Sequence, residues 1–217
     1  MSLPFTTEQF LEVFRQYNTS IWPMQVVLTV IALGAVALAA SGRNGRVVGM
    51  LLAAEWAWTG VVYHWAFFAR INPAARFFGV LWLAGAAAFA VNALGRRAVA
   101  FRSPQPWRLA IGGSLIVYAF IVYPALGYLG GRVYPFAPTY GAPCPVTIAT
   151  LGVLWLAKPP LPRHLVIGPV IWAAIGSVAA FSLGVREDLG LLAAGLSGVL
   201  LLVLPHSPEP AVSRTPA

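Results

Sequence analysis

The chain has little charge and almost no cysteine. Its 217 residues include six acidic residues, three histidines and one cysteine, and only 9% of the residues are charged. A single cysteine excludes an internal disulfide and a metal site built from several cysteines. With 59% hydrophobic residues and a mean hydropathy of +0.78, the composition lies outside the range of soluble globular domains. The sequence therefore predicts an integral membrane protein.

Common functional motifs are missing as well. The sequence contains no phosphate-binding P-loop, dinucleotide-binding glycine motif, zinc-binding helix motif or nucleophile elbow. The only lysine, Lys158, lies outside the apolar runs, so a retinal Schiff base within a span is excluded. The net charge of +8 comes from basic residues scattered between apolar runs, without the basic stripe that tracks a phosphate backbone. We expect the lipid bilayer to be a partner of this chain, and we expect no binding to nucleic acid.

Seven apolar runs follow one another between short polar turns. The predicted spans are residues 21–40, 47–69, 74–94, 109–129, 146–157, 165–183 and 189–204. The fifth run is too short to cross a bilayer of about 30 Å, so its helix either begins near Ala142 or belongs to a re-entrant loop. The predicted fold is all-α, a polytopic membrane helix bundle of seven spans, or six if the fifth run is re-entrant. Residues 1–204 form one transmembrane domain, and residues 205–217 are predicted to be a disordered cytoplasmic tail.

Residues 1–19 predict a short amphipathic helix. Thr6 and Gln9 have the spacing of a capping box, and Phe5 and Phe10 have that of a hydrophobic staple. We expect this helix to lie in the membrane interface or to cap the bundle from one end. The segment lacks the basic start and the small-residue cleavage site of a signal peptide.

Loop charges orient the bundle through the positive-inside rule. One side carries five basic residues: Arg15, Arg70, Arg76, Arg132 and Arg186. The other side carries nine: Arg43, Arg46, Arg96, Arg97, Arg102, Arg108, Lys158, Arg163 and Arg214. We therefore expect the N-terminus outside and the C-terminus in the cytoplasm. The Ala-rich and Arg-rich composition indicates a bacterial protein, so the predicted location is the bacterial inner membrane.

The second predicted span carries two ionisable side chains at membrane depth, Glu55 and His64. Such groups are costly within a bilayer and are often functional. Nine residues apart, they point to nearly opposite sides of a helix, about 13.5 Å apart along its axis. Polar features on both sides predict a central helix surrounded by protein. Glu55 is a candidate proton carrier or cation ligand, or a protonated carboxyl bonded to a neighbouring helix; His64 is a candidate ligand, or a core histidine bonded across a helix interface.

Four further candidates lie at the predicted outer end. Tyr63 is near the exit of the second span, Asn72 is in the turn that follows, and Asp188 is in the last outer turn. Cys144 is a candidate reactive thiolate at a helix N-terminus, or a small buried residue at the helix start. His64 and Cys144 are candidates for a soft metal site, which would need Asp188 or Glu187 as third ligand. Asp188 has the alternative role of capping the last helix.

Parts of the sequence resemble an uncharacterised family of bacterial multi-span membrane proteins of unknown function. The segments that carry the resemblance are LPFTTEQF, WTGVVYHWAFFARINPAA, GAPCPVTIATLG and LGVREDLGLL. The resemblance covers most of the chain and implies a shared membrane fold. It supplies no activity, cofactor or site residue.

The sequence leaves three functions open. The first is a non-enzymatic protein that binds or conducts a small solute, ion or metal through an outward-facing pocket. The second is an accessory or structural subunit of a larger membrane complex, or a homo-oligomer. The third is a membrane thiol or redox enzyme that uses Cys144. A transporter needs Glu55 or His64 to reach a water-filled cavity, whereas a subunit needs satisfied helix contacts and a broad apolar flank.

Overall fold

A computed structural model describes residues 4–101 and 105–204, which fold as helices. The helices are α1 (Thr7–Ile21), α2 (Met24–Ala40), α3 (Gly45–Trp58), α4 (Ala75–Leu94), α5 (Pro106–Val117), α6 (Tyr123–Leu129), α7 (Pro143–Trp155), α8 (His164–Leu183) and α9 (Leu189–Val203). A π-helix, Thr59–Phe67, and a 3₁₀ turn, Phe68–Arg70, continue α3, and a second π-helix, Tyr118–Val122, joins α5 to α6. A 3₁₀ turn, Arg186–Asp188, precedes α9. The predicted tail, residues 205–217, lies outside the described residues, as does Arg102.

The length and composition of several helices indicate a membrane location. Three described helical stretches are long and apolar enough to cross a membrane: Ala75–Leu94, Pro106–Leu129 and His164–Leu183. α1 and α2 add a fourth candidate if this pair, bent by 88°, counts as one span. α7 has only 13 residues, which is about 20 Å of helix and less than the bilayer core of about 30 Å.

One end of the bundle, called the α1 end, is formed by α1, the loop of residues 130–142 and the turn before α9. The Asn18 amide of α1 donates to the carbonyl oxygens of Pro135 at 2.6 Å and Ala137 at 2.7 Å. The Tyr17 hydroxyl donates to the carbonyl oxygen of Gly141 at 2.9 Å. α1 therefore holds the long polar loop against the bundle.

At the opposite end of the bundle, the loops after α4 and α7 and the start of α3 make hydrogen bonds to other segments. The N–H of Lys158 donates to the carbonyl oxygen of Ala100 at 2.8 Å, and Phe101 pairs with Ala157 in an isolated bridge. The Arg46 guanidinium donates to carbonyl oxygens at the end of α4. The first two contacts connect the loops after α4 and α7, which the sequence places on the same side. The Arg46 bonds connect the start of α3 to the end of α4.

α1 begins with the predicted capping box. The Thr6 hydroxyl accepts from the N–H of Gln9 at 3.3 Å, and the Gln9 side chain accepts from the N–H of Thr6 at 2.9 Å. The rings of Phe5 and Phe10 stack with centroids 5.8 Å apart, as the predicted staple requires. Tyr17, two turns after Phe10 on the same face, is fully buried. α1 therefore packs on the end of the bundle, which is one of its two predicted arrangements.

α7 is the centre of the bundle. All its residues except Cys144 are buried, and an apolar helix without a polar face belongs in a core. α5, α8 and α9 surround it. Gly112 of α5 and Gly152 of α7 allow a close approach, because a Cβ on Gly112 would lie 2.8 Å from the Gly152 carbonyl oxygen. The expectation that the helix of Glu55 is central is wrong, since α3 also presents exposed side chains such as Met50.

Candidate functional site

The α1 end contains a cavity of about 420 Å³, called here the apolar cavity. Its walls come from α1, the π-helix after α3, the start of α4, the first turn of α7 and the second half of α8. Most of the lining is aromatic or aliphatic, including Phe5, Phe10, Phe14, Phe68, Phe78 and Trp172. Its volume lies within the range of small-molecule sites, about 300–1,000 Å³.

Four of the six predicted site residues line this cavity: Tyr63, Asn72, Cys144 and Asp188. They come from three separate segments of the chain, and the sequence indicated only that they share one end of the bundle. The Asn72 side-chain oxygen accepts from the N–H of Ala74 at 3.1 Å, so this residue also shapes the turn before α4. A mostly apolar pocket with a few convergent polar groups can bind a small molecule and fix its orientation.

Asp188 is buried and does not make the predicted capping bond. It occupies the N-cap position of α9, but its side chain makes no capping hydrogen bond. Its carboxyl instead accepts from the Tyr123 hydroxyl at 2.8 Å and lies within hydrogen-bonding range of the Cys144 thiol. Burial raises the pKa of Asp188 to about 7, although the hydrogen bonds from Tyr123 and Cys144 act in the opposite direction.

A buried ion pair supports the same turn. The Glu187 carboxylate is fully buried, and Arg132 of the loop donates to it from Nε at 2.7 Å and from Nη2. Two parallel bonds between guanidinium and carboxylate fix both direction and distance. The ion pair therefore ties the loop of residues 130–142 to the turn that carries Asp188.

A second cavity of about 350 Å³, called here the loop cavity, lies beside the same loop. Tyr123, Arg132 and Glu187 line it, together with Tyr140. Tyr123 lines the loop cavity and Asp188 lines the apolar cavity, so their hydrogen bond crosses the wall between the two.

Glu55 is buried next to the loop cavity but does not line it. The Tyr140 hydroxyl, which does line it, donates to Glu55 Oε2 at 2.8 Å. The other carboxyl oxygen has no hydrogen-bond partner in the described part of the chain. The Glu55 carboxyl is thus hydrogen-bonded to another segment, as expected for a structural role, although its partner comes from a loop and not from a neighbouring helix. A role in proton transfer stays a prediction.

His64 is fully buried in a group of aromatic rings. Its ring centroid lies 4.8–6.1 Å from those of Trp172, Tyr63, Trp82, Phe78 and Phe68. Neither ring nitrogen has a hydrogen-bond partner within residues 4–101 and 105–204. The predicted bond across a helix interface is therefore not formed, and His64 lies behind rings that line the apolar cavity.

The predicted soft metal site of His64 and Cys144 finds no third ligand among the residues that the structure describes. Over the described residues, no three His, Cys, Asp or Glu side chains form a group that could hold a metal ion. Asp188 lies next to the Cys144 thiol, but aromatic rings enclose His64. Reactive cysteines usually have a positive neighbour, whereas the charged group beside Cys144 is acidic. The thiol-enzyme hypothesis remains a prediction.

Three residues of the site were not predicted from the sequence: Tyr123, Tyr140 and Trp172. Each places a hydrogen-bond donor close to a buried carboxyl or to a cavity wall. A buried carboxyl needs a hydrogen-bond partner, and tyrosines close to the long loop were available donors. Which tyrosine pairs with which carboxyl could not be predicted, because the partners are 65 and 85 residues apart in the chain.

A comparison with known proteins identifies the family of the chain. A family model described as "Family of unknown function (DUF6064)" matches residues 7–210. No curated protein and no solved structure matches the sequence. The matched region contains all nine helices described above. The chain therefore belongs to DUF6064, a family of unknown function.

Proposed function

We propose that this protein is a membrane helix bundle that binds a small apolar molecule in the apolar cavity. The observation that carries the proposal is the cavity itself, with its aromatic walls and the convergent side chains of Tyr63, Asn72, Cys144 and Asp188. Mostly apolar cavities with few polar groups are typical small-molecule sites. The proposal is limited to binding, because α7 is tightly packed beyond its first turn.

We also propose that the bundle crosses the bacterial inner membrane seven times, with the α1 end outside. Support comes from the larger number of basic residues at the opposite end. A short α7 is compatible with this topology, because protein surrounds it along its length. A membrane-impermeant maleimide should label Cys144 in intact cells, with denaturant present in both arms to expose it. Labelling only after the inner membrane is opened would show that the orientation is the opposite of the proposed one.

The second candidate function is that of a subunit in a larger membrane complex. It is favoured by the low burial of two candidate spans, 28% for Ala75–Leu94 and 22% for Pro106–Leu129, against 50% for His164–Leu183. These two stretches form a broad apolar flank that lipid or a partner protein can cover. Crosslinking in native membranes distinguishes a flank covered by lipid from one covered by a partner protein, because a partner protein gives one defined heterologous product.

Cys144 provides a direct test of the binding proposal, since the only thiol of the chain lines the apolar cavity. The protein in lipid nanodiscs is treated with N-ethylmaleimide, with and without 2-tetradecanone or tetradecane. An occupied cavity should protect the thiol, and a probe at about ten times its Kd should slow alkylation about tenfold by mass action.

A matched control thiol distinguishes protection from a change in the bilayer. Gly113 faces open space, because a Cβ built there meets no atom within 4 Å. Gly113→Cys in a Cys144→Ala background should react at the same rate with and without probe. The binding proposal fails if neither probe slows alkylation of Cys144, or if both thiols slow equally.

A further inference from the structure

The two carboxyls in the turn before α9 differ in their charge partners. The Glu187 carboxylate forms an ion pair with Arg132, whereas Asp188 forms no ion pair with any residue that the structure describes. Asp188 is only 5% exposed and lines the apolar cavity. A buried carboxylate without a cation is unfavourable. An ionised Asp188 therefore has no counter-charge from the described part of the chain.

The groups around Asp188 do not balance its charge. Those that are titratable or charged are Tyr63, Tyr118, Tyr123, Arg132, Cys144, Arg186 and Glu187. The Tyr123 hydroxyl donates to the carboxyl at 2.8 Å, and the charges of Arg132 and Glu187 oppose each other. Arg186 is exposed, so its charge is screened by solvent and salt. α8 and α9 add no titratable side chain at this end of the bundle.

The Asp188 carboxyl lies at the cavity wall beside Cys144. All residues of α7 except Cys144 are buried, and Cys144 lines the apolar cavity, so the accessible part of its side chain belongs to the cavity wall. Its thiol lies within hydrogen-bonding range of the Asp188 carboxyl. Attraction between charges needs no direct contact, because it acts over several ångströms where little water is present.

The rest of the lining also suits a cation. Its aromatic side chains are Phe5, Phe10, Phe14, Tyr63, Phe68, Phe78 and Trp172, and the faces of such rings attract organic cations. No Lys or Arg is among the described residues that line the cavity. A cationic group would therefore meet rings and one carboxyl there, whereas an anionic group would meet only the like charge of Asp188.

The position of the cavity favours a ligand that comes from the membrane. Val178 lines the cavity and is 66% exposed on the outer face of α8. α8 is one of the candidate membrane spans, so this exposed face meets the acyl chains of the bilayer. A molecule with an apolar chain can enter sideways from the membrane.

We propose that the apolar cavity takes an amphiphilic organic cation, a molecule with an apolar chain and one ammonium group whose charge the Asp188 carboxylate balances. This inference rests on the proposed function and adds one charged group to its otherwise apolar ligand. The aliphatic and aromatic walls hold the chain, and the rings together with the carboxylate hold the ammonium group.

Two probes that differ in one heavy atom test the role of the charge. Decyltrimethylammonium has a permanent positive charge, and 2,2-dimethyldodecane has carbon in place of its nitrogen. Protection of Cys144 from N-ethylmaleimide in phosphatidylcholine nanodiscs gives the Kd of each probe. Each Kd is expressed as the mole fraction of probe in the bilayer, which removes the effect of partition. At pH 8 we expect the cation to bind about tenfold more tightly than the neutral probe.

This preference should depend on pH and on Asp188. Burial raises the pKa of Asp188 to about 7, so its carboxyl is mostly ionised at pH 8 and mostly protonated at pH 6. At pH 6 the preference should fall to about two- to fivefold, the contribution of the rings alone. Asp188→Asn should show this lower preference at both pH values.

Glu55→Gln is the matched control for Asp188→Asn. The Glu55 carboxyl is also buried and accepts a hydrogen bond from a tyrosine, but it does not line the apolar cavity. Glu55→Gln should therefore retain both the preference of the wild type for the cation and its pH dependence.

A measurement on the unchanged protein covers the case in which Asp188→Asn does not fold. The heat of binding of decyltrimethylammonium at pH 7, measured in two buffers of different ionisation enthalpy and corrected with empty nanodiscs, gives the number of protons exchanged. A cation that binds the ionised carboxyl should release about half a proton per molecule, because about half of the Asp188 carboxyls are protonated at this pH. Binding without proton release, by a cation that does protect Cys144, would overturn the inference.

The outcomes separate this inference from the proposed function. If neither probe protects Cys144, the proposed function fails. If both probes bind equally, or the full preference for the cation survives in folded Asp188→Asn, only the inference about the charge is wrong. Tighter binding of decanesulfonate than of 2,2-dimethyldodecane would also overturn it, since the cavity would then select any charged head group.

Discussion

The two ends of the bundle use buried charge in different ways. At the α1 end, Glu187 and Asp188 are buried and accept hydrogen bonds from side chains of other segments. At the opposite end, the buried Arg108 guanidinium lies over aromatic rings, 5.6 Å from the centroid of Trp107 and 5.1 Å from that of Trp155. Carboxyls at one end thus hold a loop and two cavity walls, whereas the arginine at the other end packs between helices.

This difference separates the proposed binding end from a structural end. Cavity walls need polar groups fixed by partners, because an unfixed side chain would not keep a ligand in one orientation. A guanidinium stacked on indole rings stabilises helix packing and needs no acidic partner.

Replacing Arg132 with Ala should have the largest effect, because it leaves the Glu187 carboxylate buried without its partner. Removing one member of a buried ion pair costs about 3–5 kcal/mol, and we expect the unfolding midpoint in detergent to fall by about 10 °C. Arg186→Ala, an exposed arginine in the adjacent turn, should change it little. Arg132→Ala combined with Glu187→Gln should recover part of the loss. An effect of Arg132→Ala no larger than that of Arg186→Ala would contradict the structural role of the pair.

Gly112→Val should disturb the packing around α7. The new side chain would meet the carbonyl oxygen of Gly152, and overpacking of this kind costs about 1–3 kcal/mol. Gly113→Val is the matched control on the same helix, since a Cβ there meets no atom within 4 Å. Thermal unfolding of the two variants measures the difference. Equal midpoints would mean that α5 and α7 do not approach closely.

The pH dependence of stability should reflect the protonation of the Asp188 carboxyl. Its pKa is raised by burial to about 7, above the value of about 3.9 for an exposed aspartate. The folded state therefore holds the proton more tightly, so this contribution is complete below about pH 4 and is lost as the pH rises to 7. We expect the midpoint to fall by about 5 °C between pH 5 and pH 8. Asp188→Asn should flatten this slope, and an unchanged slope would show that another group titrates.

Substitution of Glu55 should have the smallest effect, provided the new side chain keeps the hydrogen bond. Gln can still accept from the Tyr140 hydroxyl, so Glu55→Gln should change the free energy of unfolding by less than about 1 kcal/mol. Glu55→Leu leaves that hydroxyl without its partner and should cost about 1–3 kcal/mol. If Glu55→Gln retains stability but removes a pH-dependent response to a ligand, Glu55 acts as a proton carrier.

Helix positions were predicted well because apolar runs and turn residues mark them directly. The predicted third span, residues 74–94, corresponds to α4 (Ala75–Leu94), and the predicted sixth, residues 165–183, to α8 (His164–Leu183). The capping box of α1 followed from the spacing of Thr6 and Gln9. Local signals of this kind depend only on neighbouring residues, so a single sequence contains them.

The position of each helix in the bundle could not be predicted in the same way. Protein interior and bilayer are both apolar, so hydropathy does not distinguish the buried α7 from the exposed flank of α4. The residues Tyr63, Asn72, Cys144 and Asp188 were singled out by type and by shared end. Their convergence on one cavity depends on packing between distant segments.

Photo-crosslinking in the bilayer shows whether a small apolar molecule binds in the apolar cavity. A 2-tetradecanone analogue with a diazirine on its chain is irradiated with the protein in nanodiscs, and the adducts are mapped by mass spectrometry. Binding in the apolar cavity should give adducts on the part of α8 between Trp172 and Leu183 and on the segment from Tyr63 to Asn72, and excess unlabelled 2-tetradecanone should remove them. Adducts spread over the exposed faces of α4 and α5, and unaffected by competitor, would contradict it.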